Sequence, residues 1–514
     1  MSATNLNMAG GIREFGRSRP HAPAVRDGDR TLSFAALDAR SSRLASGLLA
    51  AGLHPGEPVA VLSGNRMEYF EIGAALAKAG LPMVPLNSRN KDSDNRYVIE
   101  HCGARTLILD DALAANVDGV IDELETVLGF DGSAGRDYEA FLAGAEERDP
   151  RVAIGENDAF AISYTSGTTG APKGVVLTHR GRVLTAYATA MQWGLGPGRH
   201  TMAVAPMYHG AGFSFAYAGA QVGGCVDVLR SWDPEEFLRS LERGRTNSVF
   251  LVPTHAQQIR RVCEEPAAEY DLSALKTLYF NAAALPIALK EWVHQAFPGV
   301  DVHELYGSTE CSVVTDLLPE DSLRKPGSVG HPWFMTEMRL VDDDGHPVGP
   351  GEPGELFARS PMLMTGYLNN PEATREAFSD DGFLTVGDIA VADEEGFISI
   401  VDRKKDMIIA GGVNIYPREI EEVLARHPDV DEVAVVGLPD EVYGERITAF
   451  VVGRRQRTVD VSGLEEYVRA AVARFKTPRE WHVVDELPRN ASGKILKRVL
   501  RDQHGQPTTT TTHR

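Results

Sequence analysis

Two textures of apolar and polar positions divide this chain. Between residues 31 and 110, short apolar runs alternate with segments whose apolar residues recur at helical spacing. Ser33 stands where a helix cap is needed, and Phe34, Leu37, Leu44 and Leu48 then fall on one side of a helix that stops at Gly52. Residues 58–62, 83–86 and 106–109 read as strands; a helix from about Arg66 to Lys78, with Gly80 after it, separates the first two. The rhythm resumes at 159–162, 202–205, 248–252, 277–280 and 302–305. Strand and helix in alternation predict a parallel sheet covered on both faces, with ligands beyond the carboxyl ends of its strands. Past about Gly327 the segments turn short, extended and rich in glycine and proline, at 338–341, 355–358 and 397–401, which predicts a small antiparallel barrel or sandwich. The charged run Asp402-Arg403-Lys404-Lys405-Asp406 follows and marks a domain boundary. Beyond it, strands near 432–436 and 447–452 and a helix near 464–473 make a compact α+β piece. The fold class is α/β: a large unit, 1–402, of doubly wound αβ subdomains plus a small β-barrel, then a small α+β unit, 406–505. The tail, 506–514, has no apolar periodicity and is expected to be disordered.

Length agrees with this division, since 514 residues exceed what one core supports. A net charge of −20 argues against a nucleic-acid surface and requires that any polyanionic ligand be held by local cations. The four cysteines, Cys102, Cys225, Cys263 and Cys311, are too scattered for zinc or a disulfide framework, which points to a reducing compartment, the cytoplasm. No secretory signal is read at the start, and no apolar run is long enough to span a bilayer.

The most concentrated chemistry lies at 164–174, Tyr-Thr-Ser-Gly-Thr-Thr-Gly-Ala-Pro-Lys-Gly. Glycines allow backbone N–H groups to approach phosphate oxygens, hydroxyls donate further hydrogen bonds, and Lys173 supplies a mobile charge. The loop suits a triphosphate, although Pro172 stands where a Walker A loop needs glycine. The competing reading is a polar surface turn.

With this loop, Tyr306-Gly307-Ser308-Thr309-Glu310 and Gly387-Asp388, the chain resembles the adenylate-forming superfamily, in order from about Phe34 to Lys494. Asp402 to Ile409, with Gly411-Gly412, looks most like its acyl-CoA synthetase branch. The resemblance implies that Thr165, Ser166, Gly167, Thr168, Thr169, Gly170 and Lys173 surround the ATP phosphates. It implies that Tyr306, Gly307 and Ser308 meet adenine on one side and Asn281, Ala282 and Ala283 on the other. Thr309 would touch the α-phosphate, Glu310 would hold Mg²⁺, and Asp388 with Arg403 would bind the ribose. Lys494 would bridge the reacting carboxylate and the α-phosphate, so Lys494, Glu310, Thr165 and His209 form the implied catalytic set. Gly411 and Gly412 would line a tunnel for coenzyme A, and 403–405 would be a hinge centred on Lys405 for a mobile 406–505 domain. Singly, Lys494 reads as a solvated lysine and Asp388 as a turn residue; jointly these readings fail.

One departure concerns the adenine wall, where Ala282 stands in place of the glycine that many relatives have. The acyl pocket is expected from His209, Gly212, Phe213, Phe215 and Tyr217, with Asn281 and Gly307 opposite. The helix after Gly212 is almost uncharged, which argues against a second carboxylate on the substrate. The expected substrate is a small-molecule monocarboxylic acid with an apolar fatty, cyclic or aromatic body, activated with ATP and passed to coenzyme A. Arg454, Arg455 and Arg457 form a basic cluster that either meets coenzyme A phosphates or is a solvated charge run. A homodimer is allowed for. An enzyme that loads a carrier protein, and a scaffold that keeps only the fold, stay open at this point.

Overall fold

The computed structural model describes residues 5–165, 172–404, 406–410, 413–440, 442–454, 457, 459–489 and 495–505. Among these residues the strands form four sheets. The eight-stranded sheet runs in the order Gly366–Tyr367, Lys173–Thr178, Ala159–Thr165, Met83–Leu86, Val59–Leu62, Thr106–Leu109, Thr126–Gly129, Arg136–Asp137. Pairing is parallel from Ala159–Thr165 onward and antiparallel at the edge that holds Lys173–Thr178 and Gly366–Tyr367. The nine-stranded sheet has a parallel centre of Asp301–Ser308, Thr277–Phe280, Ser248–Leu251, His200–Ala203 and Cys225–Val228. Val59–Leu62, Thr106–Leu109, Ser248–Leu251 and Thr277–Phe280 are buried at every position, as strands covered by helices on both faces must be.

The expected parallel sheet is thus two sheets with antiparallel edges. The reason is connection length: a short link between strands can only reverse direction, whereas a parallel return needs a crossover. Ser308 and Ser312 are joined by such a short link and pair antiparallel. The hairpin Pro23–Asp27 and Arg30–Ser33 also departs from chain order, because it edges the nine-stranded sheet by parallel pairing with Cys225–Val228. The segment expected as a small barrel is a four-stranded antiparallel sheet, Glu337–Val341, Pro353–Arg359, Leu384–Ala392, Ile398–Arg403. The last sheet begins at Ile408–Ala410 and adds Val413–Ile415, Val430–Asp440, Gly444–Gly453 and Glu480–Val483.

The helix Phe34–Ala50 forms as its sequence dictates. The Ser33 hydroxyl accepts from the Ala36 N–H at 3.2 Å, and Phe34, Leu37, Leu44 and Leu48 are buried. It packs on the helix Glu68–Ala79, every residue of which is buried. Lys78 in that helix donates to Asp38 Oδ1 at 2.6 Å, to the Asp38 carbonyl at 2.8 Å, and to the Ser41 and Ser42 hydroxyls at 2.8 and 2.9 Å. The buried ammonium therefore has a full set of acceptors.

His179, at the start of the helix His179–Trp193, accepts a hydrogen bond from the Met8 N–H at 3.2 Å through Nδ1. Burial pushes its pKa down to about 4 from the ordinary 6.5. In this window the unfolded chain binds a proton that the folded chain refuses, so stability is complete above pH 6.5 and falls as pH drops toward 4. Denaturant unfolding across this range should show His179 contributing a loss of roughly 3 kcal/mol at most. His179→Gln should be less stable at neutral pH and flatter between pH 4 and 6.5; an unchanged slope refutes the assignment.

Candidate active site

The carboxyl ends of the two large sheets meet at Asn65, just beyond Val59–Leu62. Its side-chain amide faces the carbonyls of Ala203, Val204, Ala205 and Leu229 at 3.2 to 3.5 Å, and its Oδ1 accepts from the Met207 N–H at 2.8 Å. This clasp fixes the segment leading to His209, the residue before the helix Gly210–Gln221. Burial lowers the pKa of His209 and favours the neutral imidazole. Gly212 closes on the same segment: a Cβ there would lie 2.1 Å from the Pro206 carbonyl oxygen. It serves close packing and leaves no room for a side chain.

Tyr306, Asp388 and Arg403 form the first polar group. The Tyr306 hydroxyl donates to Asp388 Oδ2 at 2.5 Å, and Arg403 Nε lies 3.1 Å from Asp388 Oδ1. Asp388 and Arg403 stand directly opposite on adjacent antiparallel strands, the shortest cross-strand relation. Burial, reinforced by the Asp388 charge, raises the Tyr306 pKa and keeps its hydroxyl protonated. At the adjoining Gly307 the strand register shifts, and a Cβ would lie 2.0 Å from the Ser312 carbonyl oxygen, so only glycine fits. The Ser308 hydroxyl accepts from the Cys311 N–H at 3.0 Å, which turns the chain at Thr309 and Glu310.

Lys173, Tyr367 and Glu310 form the second group. Tyr367 was not singled out in the sequence; it arrives because Tyr367 pairs with Val175 at the sheet edge. Its hydroxyl donates to Glu310 Oε1 at 3.2 Å, and Lys173 Nζ stands 4.8 Å from the centre of its ring. The Met364 N–H holds the Glu310 carbonyl at 2.8 Å. Thr165 and Lys173 face each other on paired antiparallel strands. This end of the pair is held by the Tyr97 hydroxyl on the Pro172 carbonyl at 3.2 Å and by the contact of Tyr164 with His101 at 2.7 Å. Thr309 reaches the helix Gly210–Gln221, where a Cβ on Gly210 would lie 3.8 Å from its Oγ1.

Asn281, Ala282 and Ala283 leave the carboxyl end of Thr277–Phe280. Ala282 has φ of +73°, the left-handed region that favours glycine, and its N–H donates to Asn281 Oδ1 at 2.5 Å. The departure noted in the sequence is thus a strained residue.

On the helix Gly210–Gln221 the aromatic residues divide. Phe213 and Tyr217, four apart, share one face. The Phe213 ring stacks on Tyr217 with centroids 4.9 Å apart, and a Cβ on Gly73 would lie 2.9 Å from it. Tyr217 stacks on Phe70 and donates to the Met8 carbonyl at 3.0 Å. Phe215 points the other way, into a cluster with Trp193, Phe250 and Tyr279, which also holds Leu305, Val313, Trp333 and Met362. Of the wall expected from Gly212, Phe213, Phe215 and Tyr217, two aromatics pack against the helix Glu68–Ala79, and a Cβ on Gly212 would face backbone. Beside Phe215, the helix His179–Trp193 brings in Arg182, which reading the neighbouring helix alone could not reveal.

The small unit contacts the large one. Asp431 accepts from Gln257 Nε2 at 3.1 Å and pairs with Arg261. Arg418 donates to the Ile400 carbonyl at 2.5 Å. Ser166, Gly167, Thr168, Thr169, Gly170, Lys405, Gly411, Gly412, Arg455, Lys494 and the tail 506–514 lie outside the described residues.

The chain matches the family model described as AMP-binding enzyme over residues 12–368, and that of the AMP-binding enzyme C-terminal domain over residues 419–494. It is 36% identical over 494 residues to a feruloyl-CoA synthase of an Amycolatopsis species, covering 95% of this chain and 97% of that one. It is 36% identical over 480 residues to a long-chain-fatty-acid–CoA ligase of Mycobacterium tuberculosis, covering 93% and 94%. Among solved structures it resembles o-succinylbenzoate CoA synthetase from Bacillus subtilis in complex with its acyl-adenylate intermediate, with a TM-score of 0.86, 28% identity, and 97% and 98% of the two chains covered.

Ala282→Gly relieves the left-handed strain and should stabilise the fold by about 1 kcal/mol in denaturant unfolding. Equal or lower stability of the glycine variant refutes strain at this position.

Proposed function

The chain belongs to the family of AMP-binding enzymes, and from that premise we propose that it is an ATP-dependent carboxylic acid–CoA ligase. It joins an acid to AMP with release of pyrophosphate, then passes the acyl group to coenzyme A and releases AMP. The observation that carries this reading is a pair of polar groups, Tyr306–Asp388–Arg403 and Lys173–Tyr367–Glu310, whose Tyr306 and Glu310 stand four residues apart at the carboxyl end of Asp301–Ser308.

In this reading Asp388 accepts the ribose hydroxyls, with Arg403 and the Tyr306 hydroxyl fixing its orientation. Lys173 and the hydroxyl-rich loop hold the β- and γ-phosphates, and Thr309 holds the α-phosphate. The Glu310 carboxylate has the Tyr367 hydroxyl as partner and, among the described residues, no ion-pair partner, which fits a hard divalent ion. Glu310 would hold Mg²⁺, and an ion there would supply positive charge to the phosphate oxygens. Lys494 neutralises the same junction from the small unit, and neutral His209 stands at the mouth of the acyl pocket. The pocket wall is the Phe215 cluster, whose aromatic lining suits a flat or branched apolar body.

The reading is tested by acid-dependent pyrophosphate exchange over a panel of acids, followed by AMP formation with and without coenzyme A. Exchange in the absence of every acid effect rejects the ligase, and turnover that ignores coenzyme A points to a carrier protein instead.

Glu310→Gln should lower the adenylation rate about a hundredfold, because an amide is a poorer ligand for a hard cation. A wild-type rate across a Mg²⁺ titration removes Glu310 from the metal site. A second pair of variants addresses the alternation of the small unit. Lys494 and the Gly411-Gly412 segment cannot serve one carbonyl at once in a rigid arrangement, so rotation at Lys405 would exchange them. Lys494→Ala should abolish adenylation yet convert supplied acyl-adenylate to thioester. Lys405→Pro, which fixes φ, should retain exchange and lose thioester formation. Parallel loss of both half-reactions in both folded variants rejects the alternation.

A further inference from the structure

Arg182 is 8% exposed and has no carboxylate partner among the described residues. Its Nη1 is 3.4 Å from the Ser214 hydroxyl and its Nη2 is 3.4 Å from the Met362 carbonyl, both at the outer limit of a hydrogen bond. Its Nε has no partner among the described residues. Other buried cations of the fold are treated differently: Lys78 has Asp38 at 2.6 Å and Lys290 has Glu304 at 3.4 Å. Burial lowers the Arg182 pKa to about 10, which still leaves a cation at neutral pH. An uncompensated buried charge is costly, and a structural arginine would be paired.

The place of the guanidinium narrows what it can meet. Ser214 lies four residues along its helix from Gly210, the residue against Thr309, which is a rise of about 6 Å. Met362 lies two residues from Met364, whose N–H holds the Glu310 carbonyl. Met362 also belongs to the Phe215 cluster, where, among the described residues, Trp193 Nε1 and Trp333 Nε1 are further buried donors with no acceptor. Unpaired donors and a cation next to an apolar cluster suit a ligand with an apolar body and an anionic far end.

We infer that Arg182 receives a second carboxylate at the far end of the acid, and that the substrate is a dicarboxylic acid with a short or aromatic spacer. This rests on the ligase reading above and revises the expectation of a single carboxylate. That expectation considered only the helix after Gly212; the charge comes from the helix beside it. Nε and Nη2 of a guanidinium offer two parallel N–H groups, which match the two oxygens of a carboxylate.

The test is pyrophosphate exchange by the full-length enzyme with paired acids: α,ω-dicarboxylates of graded length and aromatic diacids, each against its monomethyl ester. The wild type should favour the best diacid over its ester by at least roughly tenfold in kcat/KM, since an ester leaves the buried cation unpaired. Arg182→Met should collapse that ratio toward one, Arg182→Lys should keep part of it, and the KM for ATP should stay within about twofold in both. The wild-type ratio stands even where the Met variant does not fold. Exchange that ignores the distal charge overturns this inference and leaves the ligase reading intact. A raised KM for ATP with an unchanged acid ratio assigns Arg182 to phosphate and overturns it too. No exchange with any acid overturns both.

Discussion

The side chain of Asn65 is the constraint on which the site depends. A buried primary amide must spend its donors and its acceptor inside the protein. Here it spends them on the backbone of the opposing sheet, at Ala203 to Met207 and Leu229. The carboxyl end of one sheet is thereby held against the carboxyl ends of two strands of the other. Parallel sheets present their loops at those ends, so the seam gathers the loops of both. His209, Asn281, Thr309 and the hairpin that starts at Thr165 all leave strands at this seam.

Around it, the polar residues are bonded to one another. Asp388 is oriented by Tyr306 and Arg403, and Glu310 by Tyr367. Groups held in this way meet a ligand without first losing rotamer freedom, which is the physical content of preorganisation. In a chain of net charge −20, the cations that serve a polyanion must be placed one by one. Lys173 and Arg403 each stand beside an acidic or aromatic partner, whereas Arg182 has no carboxylate partner among the described residues.

Much of this was legible in the residues. Buried strands declared themselves as apolar runs, and Ser33 announced its helix, because both signals are local. The Ala282 departure was also readable, since backbone freedom is written in residue type; the need for glycine at Gly307 came only with the bulge. Tyr367 was not, because its strand is two residues long and its role comes from an edge pairing with Val175. The division of Phe213 and Tyr217 from Phe215 follows from helical spacing, but which face meets the acid depends on what packs opposite. Arg182 required two helices to be seen together, and Asn65 required two sheets.

The parallel pairing of Pro23–Asp27 with Cys225–Val228 joins residues as far apart as Arg26 and Asp227, 201 positions along the chain. On the ribosome, the hairpin emerges long before the strand it must join. The eight-stranded sheet waits in the same way for Gly366–Tyr367. Neither large sheet is complete until those later strands have been made. Through that interval the nascent chain carries open strand edges, the condition under which chaperones protect a growing polypeptide.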